Sequence, residues 1–143
     1  MKKWIAMTLA SVLLLAGCSG STSGDDQSAE SAVEKYGSDT LKLYNWGEYM
    51  GEDLISNFEE QFGVNVILEY FDSNEAMYTK LQAGDSYDVL VPSDYMIERL
   101  IAEGQLQELD LSLIPNISNL AEGVKNLPYD PDNTYSVPYF WGS

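Results

Sequence analysis

Three times between Thr40 and Gly104, a short apolar segment is followed by a helical pattern that stops at a glycine. The apolar segments carry the alternation or the β-branched residues that are typical of strands. The predicted strands span 40–44, 64–70 and 87–91, and the predicted helices run from about 52, 73 and 93 to Gly63, Gly84 and Gly104. Strands and helices that alternate with short turns indicate right-handed crossovers between parallel strands. We therefore predict an α/β fold with a doubly wound, mainly parallel sheet.

The pattern after Gly104 is less regular. Loose alternation over 106–114 predicts a short strand, and the residues near 118–127 predict a short helix. An aromatic run over 135–141 predicts a strand, within 135–143, that leaves a domain spanning 39–134. Because this run stops two residues later without a polar tail, we expect the chain to be a fragment in which the domain is incomplete.

Residues 1–17 have the three parts of a secretory signal peptide. Lys2 and Lys3 form a basic start, 4–16 is mostly apolar, and Leu-Ala-Gly precedes Cys18. The motif over 15–18 resembles the lipobox of bacterial lipoproteins, which implies a lipid on Cys18, the single cysteine. The alternative is an ordinary signal peptide with an incidental cysteine. Residues 18–38, rich in Ser, Gly and acids, predict a flexible linker that holds an exported domain near the membrane, on the cell surface or in a periplasm.

The composition excludes several functions. The chain has 23 acidic and 7 basic residues and a net charge of −16, which disfavours nucleic acid and favours cationic solutes, although these acids also suit a solvated extracellular surface. It has no histidine and one cysteine, so histidine-based triads and histidine-ligated zinc sites are ruled out. One glycine follows the first strand where a phosphate loop needs several. We predict no catalysis, metal or cofactor.

Aromatic and acidic residues follow two of the predicted strands. The candidates are Trp46, Glu48 and Tyr49 after the first strand and Ser93, Asp94 and Tyr95 after the third. If these strands are neighbours, as the switch point of a doubly wound sheet allows, the residues line one cleft wall. Aromatic faces attract ammonium groups by about 0.5–2 kcal/mol each, and carboxylates in a cleft require a cationic partner. The pattern therefore predicts a binding site for an organic cation.

Each candidate also suits a purely structural role. Trp46 fits a core position, and the tyrosines fit the covering of sheet ends. Glu48 and Asp94 are acids of the kind favoured in a first helical turn or a cap, and Ser93 is a favoured N-cap. Their coincidence at one edge favours binding.

Five blocks carry a resemblance to a known family. They are LYNWGEY over 43–49, DSNEAMYTKL over 72–81, YDVLVPSDY over 87–95, NISNL over 116–120 and YSVPYFWG over 135–142. In this order they resemble the spermidine/putrescine-binding proteins of bacterial polyamine ABC importers. The resemblance implies a two-lobed fold of the second periplasmic-binding type, of which this chain holds most of the first lobe. It also implies a monomeric receptor that delivers polyamine to membrane permease subunits.

The family's ligand contacts fall here on five residues: Trp46, Glu48, Tyr49, Ser93 and Tyr95. Gly47 stands where relatives can carry a hydroxyl residue, and Asp94 is a candidate outside the family pattern. Because the second lobe supplies the remaining acids and aromatics, we expect these 143 residues alone to bind polyamine weakly or not at all. The alternatives are a receptor for ferric iron or a sugar, or a secreted enzyme or adhesin whose active part lies elsewhere.

Overall fold

A computed structural model describes residues 31–142. The predicted signal peptide, Cys18 and most of the predicted linker lie outside this range. Within it, helices and strands follow one another as α1 (Ala32–Tyr36), β1 (Thr40–Trp46), α2 (Leu54–Phe62), β2 (Asn65–Phe71), α3 (Asn74–Gln82), β3 (Val89–Leu90) and α4 (Asp94–Ala102). The end of the predicted linker thus forms α1, whose Ser31 and Glu34 make a reciprocal capping box.

The three strands form one parallel sheet in the order β2-β1-β3. Along β1, Thr40 lies opposite Asn65 and Trp46 opposite Phe71, while Tyr44 lies opposite Leu90 on the other side. The chain adds β2 on one side of β1 and β3 on the other, so a topological switch point lies between β1 and β3. The predicted α/β class, the parallel sheet and the adjacency of the first and third strands are confirmed.

β3 is shorter than predicted, with two residues in place of the five expected over 87–91. The reason is a side chain that takes a place in the ladder. The backbone N–H of Lys42 donates to the Asp88 carboxylate at 2.7 Å instead of to a carbonyl of the neighbouring strand. Pro92, which has no N–H, follows closely and prevents extension in the other direction.

The core lies where α3 and α4 pack against the sheet. Ser73 caps α3 by accepting a hydrogen bond from the N–H of Ala76 at 3.1 Å. Met96 and Leu100, one turn apart on α4, are at most 1% exposed. The buried core residues are Tyr44, Phe71, Met77, Met96 and Leu100. These helices therefore fix the position of their first turns against the strand ends.

The predicted strand over 106–114 is wrong. Asp110 instead accepts a hydrogen bond from the N–H of Ser112 at 3.0 Å and starts a 3₁₀ helix over Leu111–Leu113. The predicted helix over 118–127 is also wrong, because two short 3₁₀ helices, Pro115–Asn119 and Glu122–Val124, occupy the region. Leu120 has extended backbone angles, which separate the two.

The predicted strand over 135–143 does not form in its described part, 135–142. The buried carboxylate of Asp130 accepts hydrogen bonds from the N–H groups of Thr134, Tyr135 and Ser136 at 2.8–3.0 Å. These donors are therefore not free to pair with a strand. No helix within residues 31–142 is both long enough and apolar enough to cross a bilayer.

Candidate functional site

The ends of β1 and β3 meet at one edge of the sheet. Tyr44 accepts a hydrogen bond from the N–H of Val91 at 3.0 Å, so the strands stay paired to the last residue before Pro92. Because β1 and β3 run parallel, the loop after Trp46 and the segment that begins at Ser93 both leave the sheet at its carboxyl end. The structure thus brings the two predicted groups of site residues to the same edge.

Aromatic contacts position the residues that follow β1. Trp46 is half-buried, with its ring centroid 4.5 Å from that of Phe71 and 6.0 Å from that of Tyr49. The N–H of Tyr49 donates to the carbonyl of Trp46 at 3.4 Å, which closes the turn. Glu48, which lies between Trp46 and Tyr49 in sequence, is exposed. Trp46 is therefore held by the core on one side while the turn beside it stays open to solvent.

The residues that follow β3 are held by the first turn of α3. The Ser93 hydroxyl oxygen accepts from the Asn74 amide nitrogen at 3.0 Å, and the Ser93 N–H donates to the Asn74 amide oxygen at 3.0 Å. Although Ser93 occupies the N-cap position of α4, its side chain makes no capping hydrogen bond. Its hydroxyl is thus oriented by Asn74 rather than used to cap the helix.

Tyr95 is half exposed and its hydroxyl donates to the Glu75 carboxylate at 3.0 Å. Partial burial raises the pKa of the Tyr95 phenol, and the hydrogen bond to Glu75 raises it further. The Asp94 carboxylate accepts from the N–H of Tyr95 at 2.7 Å, so Asp94 is engaged at the first turn of its own helix. This contact fits the structural role that the sequence left open for Asp94.

Sequence reasoning missed Asn74 and Glu75. The signal was available, because both follow β2, and the carboxyl ends of all parallel strands meet at the same edge. Asn74 is only 5% exposed, which is unusual for an uncharged amide that has no partner nearby in sequence. Its partner, Ser93, is 19 residues away, so the pairing could not be read from local pattern.

Two further aromatic residues, Tyr139 and Phe140, lie against the loop after β1. The rings of Tyr49 and Phe140 are 4.7 Å apart, and the Tyr139 hydroxyl donates to the carbonyl of Tyr49 at 2.5 Å. Phe140 is 64% exposed. The aromatic run that predicted a departing strand therefore extends the row of rings that begins at Trp46.

A buried amide marks the end of β1. Asn45 is 1% exposed and its side-chain oxygen accepts from the N–H of Trp46 at 2.8 Å. Its amide nitrogen is buried and has no hydrogen-bond partner among the described residues 31–142. An unmade bond of this kind costs about 1–3 kcal/mol. The amide orients the backbone where the site begins.

The edge is acidic. Glu48 lies in the loop after β1, and Glu75 and Asp94 lie in the first turns of α3 and α4. Residues 47–53, 72–75 and 91–95, which form these segments, contain no Lys or Arg. Elsewhere, Lys80, Arg99 and Lys125 each pair with a glutamate at 2.8–2.9 Å. No group of three potential metal ligands occurs in the described part of the chain. The arrangement suits a cation that is bound by oxygens and aromatic faces.

A tyrosine and a groove lie outside the predicted residues. Burial raises the pKa of Tyr129, and the negative charge of Asp94 raises it further, which places this phenol within electrostatic range of the edge. A groove of about 430 Å³ lies between the start of α2 and β2 and includes none of the predicted site residues. The candidate site is therefore an open sheet edge rather than an enclosed cavity.

A profile of the bacterial extracellular solute-binding protein family matches residues 53–143. The spermidine/putrescine-binding periplasmic protein of Salmonella typhimurium is 39% identical over 145 residues, which cover 100% of this chain and 38% of that protein. The putrescine-binding periplasmic protein PotF of Escherichia coli is 40% identical over 107 residues, covering 73% of this chain and 29% of that protein.

A solved structure is also similar. The spermidine/putrescine ABC transporter substrate-binding protein PotD of Streptococcus pneumoniae superposes with a TM-score of 0.70 at 47% identity, covering 73% of this chain and 33% of that one. The chain spans 38% of the length of the Salmonella relative. The likeness therefore covers most of this chain but only about a third of the compared structure.

Proposed function

This chain belongs to the bacterial extracellular solute-binding protein family, and we propose that the whole protein captures polyamines such as spermidine and putrescine and delivers them to an ABC permease. The observation that carries the proposal is the pairing of β1 with β3, which brings two loops to one acidic, aromatic edge. Two relatives, named for binding spermidine/putrescine and putrescine, support the same ligand class.

The chemistry of a polyamine matches this edge. An ammonium group carries three hydrogen-bond donors and no acceptor, so it needs oxygen acceptors and negative charge. Glu48 supplies charge, and the ring of Trp46 supplies a face for an ammonium group or for the methylene segments between them. An anionic solute would instead require cationic donors, which these loops lack. The same contrast disfavours sugar phosphates.

The remaining roles follow from this proposal. A receptor needs no catalytic group, so we propose that the protein is not an enzyme. It is exported with residues 1–17 as signal peptide and is held at the membrane by a lipid on Cys18. It acts as a monomer that docks on the permease subunits. Trp46, Glu48, Tyr49, Ser93 and Tyr95 contact the ligand, with Asp94 as an outer acid.

Isothermal titration calorimetry of the whole protein tests the ligand. We expect spermidine to bind with a dissociation constant of about 1 μM or lower, corresponding to roughly 8 kcal/mol. The substitution Glu48→Gln should weaken binding by about tenfold, as expected for the loss of a charge-assisted hydrogen bond. Glu60→Gln, which removes an exposed acid from α2, should change the affinity less than twofold.

Competition separates the proposal from its alternatives. Spermidine should not be displaced by ferric citrate or by a panel of neutral sugars. If spermidine produces no heat while one of these solutes does, the polyamine assignment is wrong. If Glu48→Gln and Glu60→Gln behave alike, the protein still binds polyamine but the assignment of Glu48 as a contact fails.

A further inference from the structure

The first turns of α3 and α4 are fixed to one another. Asn74 and Ser93 exchange two hydrogen bonds of 3.0 Å each, and Asn74 is 5% exposed. Partly buried, reciprocal bonds of this kind tolerate little movement because breaking either leaves a polar group unsatisfied. The next residue of α3 and the second residue of α4 are therefore held at a defined separation.

Glu75 and Tyr95 occupy those two positions. The Tyr95 hydroxyl donates to the Glu75 carboxylate at 3.0 Å, and both residues are exposed. A phenol has one proton, and an ionised carboxylate can only accept. The proton of Tyr95 is thus directed at Glu75, and the phenol oxygen, which the Asn74 amide also approaches, keeps acceptor capacity for another partner.

We propose that Glu75 is a positioning residue that presents the Tyr95 oxygen to the ligand as a hydrogen-bond acceptor. The proposal rests on the polyamine-binding function and names a residue outside the predicted contacts. An ammonium group only donates, so it matches an oxygen whose proton is already committed. A carboxylate or phosphate ligand needs that proton for itself and would have to break the bond to Glu75. The pair thereby selects cationic ligands at this edge.

A double-mutant cycle on the whole protein tests this role. Spermidine affinity is measured by calorimetry for the unmodified protein, for Glu75→Gln, for Tyr95→Phe and for the double variant. The Gln side chain keeps the shape of Glu75 but can donate to the phenol oxygen, which occupies its lone pair. Glu60→Gln on α2 controls for the loss of one negative charge, and thermal unfolding of each variant verifies folding.

We expect Glu75→Gln to weaken spermidine binding by about tenfold in the presence of Tyr95, as for a charge-assisted bond, and to change it less than twofold in the Tyr95→Phe background. Equal losses in both backgrounds would show that Glu75 contacts the ligand directly and would overturn the positioning role. The absence of any loss beyond that of Glu60→Gln would overturn it as well. If the unmodified protein fails to bind spermidine, the polyamine function itself falls, an outcome distinct from both.

Discussion

Asn74 and Ser93, the first residue of α3 and the N-cap residue of α4, bind each other through both their side chains and the backbone N–H of Ser93. They lie 19 residues apart in sequence and follow different strands of the sheet. This pair ties the loop after β2 to the loop after β3. The candidate site is consequently built from three strand ends, whereas the predicted site used two.

Replacing Asn74 should lower stability more than replacing an exposed asparagine. Asn74→Ala leaves the Ser93 N–H without its acceptor in a partly buried setting, which costs about 1–3 kcal/mol. The exposed Asn57 of α2 provides the matched control, and Asn57→Ala should cost less than about 0.5 kcal/mol. Urea unfolding of the whole protein measures both. Equal midpoints for the two variants would contradict the proposed importance of the pair.

The stability of the protein should respond differently to the same substitution at two glycines. A Cβ at Gly47 would meet no atom within 4 Å, and its backbone is outside the left-handed region. Gly47→Ser should therefore leave unfolding unchanged and, by adding a hydroxyl beside Glu48, tighten spermidine binding by about threefold.

Gly84 is the control, because its φ is 101°. Gly84→Ser should cost about 1–3 kcal/mol of stability, since residues with a side chain rarely adopt this backbone conformation. The two variants are compared by urea unfolding and by calorimetric titration. A loss of stability in Gly47→Ser as large as that in Gly84→Ser would refute the open geometry of the loop after β1.

The carboxylate of Asp130 should be essential for the shape of the segment after it. It accepts bonds from the N–H groups of Thr134, Tyr135 and Ser136 and from the Ser136 hydroxyl. Asp130→Asn places an NH₂ group where an acceptor is needed and should cost about 2–4 kcal/mol, as for other buried, charged acceptors. The same change at exposed Asp132 should have little effect. Urea unfolding measures the stability of both variants. Equal losses of stability would contradict the importance of the hydrogen bonds that Asp130 accepts.

The acid dependence of stability should involve Glu69. Hydrogen bonds from Lys80 and then from Tyr87 lower the pKa of the Glu69 carboxyl. A carboxyl with a lowered folded-state pKa contributes stability above its unfolded pKa of about 4.3 and loses it as the pH falls through the folded value. Glu69→Gln should therefore reduce the fall in the urea midpoint between about pH 5 and pH 3.

The control for this pH dependence is Glu60→Gln, which removes an exposed acid of α2. It should leave the slope of the acid limb as in the unmodified protein. Because Glu69 is well exposed, solvent screening keeps the difference small, and midpoints need to be measured at low and high salt. An identical acid limb in Glu69→Gln would contradict the assigned pKa shift.

The strands and helices up to Ala102 were predictable because their signals are local. Phe58 and Phe62 repeat at helical spacing, and Gly63 ends α2 in the left-handed conformation that glycine favours. The switch-point rule of doubly wound sheets allowed, and the family resemblance implied, that the first and third strands are neighbours, as the strand order shows. The same rule placed both groups of site residues at one edge.

The failed strand predictions have a common physical cause, which is a side chain that replaces a backbone partner. Asp88 shortens β3 by accepting from Lys42, and Asp110 turns an alternating segment into a 3₁₀ helix. Asp130 does the same for the aromatic run near the end of the chain. Whether a carboxylate takes the place of a backbone acceptor depends on where the acid lies in the folded structure. Alternation of apolar residues therefore could not reveal them.

The contact between Tyr139 and Tyr49 joins segments that are 90 residues apart in sequence. Together with the contact between the rings of Tyr49 and Phe140, this hydrogen bond couples the turn that carries Glu48 to the backbone beyond Pro138. A displacement of the later segment would strain its contacts with Tyr49 and so act on the earlier turn. A ligand that moved the turn after β1 would therefore also act on the segment that leads to Trp141.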